Sequence, residues 1–97
     1  MPQAMALVLD AADNVAVSLD EILPGAELRL STGETISARE QIPFAHKIAR
    51  SSIAAGGSVL KYGVPIAFAT QTIEAGAWVH GHNSKSYFVA KKEAQAG

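Results

Sequence analysis

Three segments, Ile22-Leu23-Pro24-Gly25-Ala26-Glu27-Leu28, Ile53-Ala54-Ala55-Gly56-Gly57-Ser58-Val59 and Ile73-Glu74-Ala75-Gly76-Ala77-Trp78-Val79, share one pattern. Each has an aliphatic residue, glycine three positions later, and a second aliphatic residue three positions beyond that. The isoleucine anchors a segment in a core, and the glycine permits a turn with positive φ. The chain then enters a strand whose valine or leucine packs inward. The spacings between copies, 31 and 20 residues, are unequal, which excludes a solenoid. A β fold of bent hairpins that reuses one corner is the expectation.

Period-two alternation around these corners supports it. In Asn14–Leu19, residues Val15, Val17 and Leu19 are expected to face one way and Ala16 and Ser18 the other. Ala26–Leu30 and Glu34–Ala38 flank Ser31-Thr32-Gly33 as a hairpin, and Ser58–Tyr62 and Ile66–Thr70 flank Gly63-Val64-Pro65 as another. Ala77–His82 reads as a strand and Ser86–Val89 as a short last one. Lys47–Ile53 is the one stretch suited to a helical turn. Residues 1–90 are expected to form the domain and residues 91–97 a loose tail.

Composition narrows the function classes. Ninety-seven residues, 48% of them hydrophobic and few aromatic, allow one modest core built from Ala, Val, Ile and Leu. A net charge of −1 gives no basic surface for nucleic acid. The absence of cysteine excludes disulfides, thiolate catalysis and cysteine-ligated metal sites. Met1–Asp10 has no basic leader and no stretch is long enough to cross a bilayer, so a cytoplasmic location without membrane contact is expected. Charge is uneven along the chain: residues 1–40 hold seven acids against Arg29 and Arg39, and residues 41–97 hold six bases against Glu74 and Glu93. Either an anionic ligand sits near the second half, or folding simply mixes the two.

The segment from His46 to Asn83 carries a longer signature. It contains His46-Lys47-Ile48-Ala49, Ile53, Gly56, Lys61-Tyr62-Gly63-Val64-Pro65-Ile66, Ala69-Thr70, Ile73, Ala75-Gly76 and Val79-His80-Gly81-His82-Asn83. With Asp13-Asn14-Val15-Ala16 upstream, this resembles the SAF-type domain that opens altronate and galactarate dehydratases and also forms the small subunit of sulfolactate sulfo-lyase. The resemblance implies an all-β, β-clip fold. It also implies service to a lyase that removes water or sulfite from a hydroxylated acid. Ala67 stands where the family commonly has glycine. The large domain of full-length members has no counterpart here, so a subunit of a split enzyme, a fragment, or a domain in another use are the open alternatives.

Within that signature, His80 and His82 alternate on the expected strand, so both imidazoles would share a face about 6.5–7 Å apart at the backbone. They are candidate ligands for a divalent metal, iron or manganese, shared with a large dehydratase subunit. The competing reading is a pair of exposed strand-end residues without a partner. His46, Lys47, Lys61 and Asn83 are the candidate substrate-binding residues. The lysines suit a carboxylate, and the Asn83 amide suits a hydroxyl, a ring nitrogen or simply a turn. Trp78 suits core or interface. The expected function is an accessory subunit that completes or caps a sugar-acid hydro-lyase site and is inactive alone. A non-catalytic sugar-acid-binding module and a homo-oligomerisation domain are the alternatives.

Overall fold

The computed structural model describes residues 4–87, and all its regular elements are strands. They are β1 (Ala4–Leu7), β2 (Val15–Ser18), β3 (Glu27–Leu30), β4 (Thr35–Ser37), β5 (Lys47–Ala49), β6 (Ser58–Lys61), β7 (Val64–Ala69), β8 (Trp78–Val79) and β9 (Ser84–Ser86). Six form one sheet in the order β4-β3-β1-β2-β5-β8, and three form another in the order β6-β7-β9. Pairing is antiparallel except between β1 and β3. The architecture is the all-β, β-clip type that the sequence leads one to expect.

Two cores lie on opposite faces of the large sheet, and period-two alternation feeds both. Val15 packs into one core and its neighbour Ala16 into the other; Ala49 and Ile48, their cross-strand partners, divide the same way. Antiparallel bridges Ile22↔Ile42 and Ile53↔Ile73 join one isoleucine pair in each core. All four are almost completely buried, and removing each from water is worth about 1.5–3 kcal/mol.

The corner occurs four times. The Gly25 N–H donates to Ala38 O, and the Ala38 N–H donates to Ala26 O. The same two bonds link Gly56, Ala69 and Gly57; Gly76, Ala49 and Ala77; and Ala45, Ser18 and His46. Ile42 therefore begins a fourth copy that the glycine pattern misses. Its corner residue is Ala45, held at φ 67° where the other three have glycine.

Both hairpins form. The second turns at Tyr62-Gly63, with φ 57° and 71°, the two positive values a type I′ turn demands. Val64 and Pro65, expected in the turn, belong to β7, and a register shift between Val59 and Leu60 accommodates the proline. The buried Asp13 carboxylate fixes this turn by accepting from the Tyr62 and Gly63 N–H groups at 3.0 and 2.7 Å.

Four expectations need correction. Lys47–Ile53 holds no helical turn, because Lys47–Ala49 pairs with Val15–Val17 on one side and with β8 on the other. Leu19 is 45% exposed instead of inward, since β2 ends at Ser18 and the chain bends. The strand expected over Ala77–His82 is only Trp78–Val79. The last strand is Ser84–Ser86, with residues 88–97 outside the described part. Sequence periodicity also passed over β1.

Candidate functional site

The indole of Trp78 gathers all three imidazoles. Its ring centroid lies 5.6 Å from His46, 4.9 Å from His80 and 5.3 Å from His82, and His46 and His80 are themselves 5.1 Å apart. His80 stacks almost parallel to the indole, with 9° between the planes. The Trp78 Nε1–H donates to His46 Nδ1 at 3.1 Å. Histidines expected to converge do converge, but on a tryptophan.

Strand alternation does not bring His80 and His82 to one place. Both lie beyond β8, where residues 80–83 form a bend and turn. Asn83 shapes it from inside. It is 4% exposed; its Nδ2 donates to Trp78 O at 2.8 Å and its Oδ1 accepts from the His80 N–H at 3.0 Å. The His80 carbonyl then accepts from the Ser84 N–H and hydroxyl. Both ends of the Asn83 amide take part in this turn. An amide engaged at both ends inside the fold positions His80.

His46 is set by the fourth corner. In the three glycine copies the following residue is Ala26, Gly57 or Ala77; here it is a histidine. Ser18 occupies the partner position held by alanine in the other three. Its hydroxyl donates to Pro43 O at 2.6 Å and accepts from the His46 N–H at 3.2 Å. This corner thus has an added hydrogen-bonding side chain and a residue in the left-handed region, which costs about 1–2 kcal/mol without glycine. Such local strain is a common mark of a site under functional constraint.

Lys47 leaves β5 on the other face. It pairs with Val17 and Val79 and opens into a cleft of about 520 Å³ that reaches across to the second sheet. Ile66 and Ala67 from β7, Ser84, Lys85 and Ser86 from β9, and His80 and Gly81 from the turn complete the lining. Burial, and then the charge of Lys61, hold the Lys47 ammonium below its ordinary value. Lys61 is therefore close enough to Lys47 to be felt as a like charge. His80 belongs to both assemblies, stacked on Trp78 and lining the cleft at the sheet's edge.

Sequence reasoning missed the β9 contribution, since Ser84, Lys85 and Ser86 carry no pattern that distinguishes them from surface residues. It also missed the role of Glu40, whose carboxylate accepts from the Trp78 N–H at 3.1 Å. Trp78 itself offered a signal: it is the single tryptophan, spaced two and four residues before the two histidines.

The donor set of the described residues does not complete a metal site by itself. Among the described residues no group of three His, Asp or Glu is placed to bind one, and His46 Nδ1 is already engaged by the indole. No helix among them is long and apolar enough to cross a membrane.

The chain is 40% identical over 78 residues to altronate dehydratase of Escherichia coli (strain K12), covering 80% of this chain and 16% of that protein. It is 32% identical over 78 residues to galactarate dehydratase (L-threo-forming) of the same organism, covering 14% of it. It is also 37% identical over 51 residues to (2R)-sulfolactate sulfo-lyase subunit alpha of Paracoccus pantotrophus, covering 53% of this chain and 76% of that one. The chain thus spans a small part of the dehydratases and most of the sulfo-lyase subunit. The altronate/galactarate dehydratase SAF domain family matches residues 4–87, and the chain belongs to that family.

Proposed function

We propose that this domain completes the substrate-binding side of a hydro-lyase acting on a sugar acid, with a larger dehydratase polypeptide supplying the groups that break the bonds. The observation that carries this reading is the pair of lysines, Lys47 and Lys85, that line one cleft from two different sheets. Lys47 is half-buried and feels the like charge of Lys61, and Lys85 lines the same cleft from β9. An anion placed in the cleft would stabilise a partly buried ammonium that sits beside a like charge. A substrate carboxylate is such an anion.

The chemistry gives the cations a use beyond binding. Dehydration removes the proton next to the carboxylate and expels hydroxide from the neighbouring carbon, so negative charge builds on the carboxylate oxygens as an enediolate forms. Ammonium groups near those oxygens attract the developing dianion more strongly than the ground-state monoanion, which is the condition for catalysis. The serine hydroxyls of β9 suit the substrate's own hydroxyls. His80 and His82 are the donors this chain would contribute to an iron or manganese ion shared with the larger polypeptide.

A second polypeptide is supported by the size relation: the same domain forms most of a protein named as a subunit and a minor part of single-chain dehydratases. The test is reconstitution. The purified chain alone should leave altronate and galactarate unchanged, and adding the larger polypeptide should give turnover that falls at least tenfold with Lys47→Met. Turnover by the chain alone at a rate typical of enzymes would overturn the accessory role.

A further inference from the structure

We infer that Trp78 is a positioning residue that fixes His46 in a single tautomer, proton on Nε2, so that His46 meets its ligand as a hydrogen-bond donor and not as a base. The bond between the two rings is enough to fix the tautomer. An indole nitrogen can donate and cannot accept. At 3.1 Å from Trp78 Nε1, His46 Nδ1 is therefore the acceptor and carries no hydrogen. The neutral ring then carries its hydrogen on Nε2.

Both partners are held independently of the bond. On one side, the Trp78 N–H donates to Glu40, the Trp78 carbonyl accepts from Asn83, and Trp78 pairs with Ile48 across β5–β8. On the other, the Ser18 N–H donates to His46 O, and the His46 N–H donates to Ser18 Oγ. The Ala45 corner, at φ 67°, sets the direction of the chain. Two rings carried by separate segments, the fourth corner and β8, meet with the indole N–H against one chosen nitrogen, which is preorganisation of the kind a catalytic or binding donor requires.

The consequence is chemical. With Nδ1 engaged and Nε2 protonated, His46 has no lone pair available to take a proton from a substrate carbon. It offers an N–H to an oxygen, the role in which a neutral imidazole acts as electrophile. The base for the reaction then belongs to the partner polypeptide. The tautomer stands on geometry alone; the donor role rests on the function proposed above.

In uniformly ¹⁵N-labelled protein, a scalar coupling across the hydrogen bond should connect the Trp78 Nε1–H with His46 Nδ1. The His46 ring should show a single neutral form with hydrogen on Nε2. Trp78→Phe should abolish the coupling and leave His46 in a mixture of tautomers. Hydrogen on His46 Nδ1 in the wild type, or a ring form unchanged in Trp78→Phe, overturns the inference. If Trp78→Phe does not fold, the wild-type coupling decides. Added galactarate should move the Nε2–H signal. A signal it leaves unmoved while the coupling persists removes the donor role and leaves the tautomer.

Discussion

His46 and Lys47 are consecutive residues that serve opposite faces of one sheet. The His46 ring meets Trp78, which packs with Ile48 on the core that holds Ala16, while Lys47 pairs with Val79 of the core that holds Val15. β5 begins at Lys47, so His46 belongs to the corner before the strand and is held there by Ser18. His80 is common to both groups, stacked on Trp78 beside His46 and lining the cleft with Lys47 and Lys85. Ligand contact at the cleft and ring geometry at Trp78 are coupled through that one residue.

Lys47 weakens the isolated fold at neutral pH. Its folded-state value lies below the unfolded value, so protonation is easier in the unfolded chain. Between those two values the unfolded state binds more protons, and stability rises with pH. Lys47→Met should therefore stabilise the free domain near pH 7, with the advantage shrinking as pH rises through the ordinary lysine range. Urea denaturation of both proteins across that range tests the sign.

Asn83→Ala removes two buried hydrogen bonds that hold the turn carrying His80. The expected cost is about 2–3 kcal/mol. The ring-current shift of the His80 protons should also be lost as the ring leaves the indole. Denaturation gives the first quantity and proton NMR the second.

The glycines differ sharply in what they tolerate. At Gly76 a Cβ would lie 2.1 Å from the Ser37 carbonyl oxygen, whereas at Gly25, with nearly the same φ, nothing lies within 4 Å. Gly25→Ala should lose about 1–2 kcal/mol to backbone strain alone. Gly76→Ala should exceed it by about 2 kcal/mol or fail to fold. Equal losses would show that the contact is not the cause.

Ala45→Gly should relieve the fourth corner and stabilise the domain by about 0.5–1 kcal/mol. The same change loosens the chain before His46, so in the reconstituted enzyme activity should fall as stability rises. Paired denaturation and rate measurements would show the trade.

How much of this was legible follows from which residues carry a signal. The first hairpin was readable because Ser31-Thr32-Gly33 separates two alternating runs. Three corners were readable because glycine marks them. The fourth was not, since Ala45 adopts a glycine-like φ without being glycine, and it is the corner that sets His46. Lys47–Ile53 suggested a helical turn because Ala49 and Ile53 lie four residues apart, as on one helix face; only β2 and β8, distant in sequence, decide for a strand. Strand β8 is shorter than the pattern suggests because Asn83 captures the His80 N–H. The participation of β9 in the cleft depends on tertiary packing and has no local signature.

The most direct test is a titration of the domain, alone and with the larger polypeptide, following the lysine ammonium ¹⁵N signals as galactarate is added. Lys47 and Lys85 should shift with the acid, not with the uncharged polyol of the same carbon skeleton, and the Lys85 shift should vanish in Lys47→Met. Signals unmoved in both states, or moved equally by acid and polyol, would contradict the assignment of the cleft to an acid substrate.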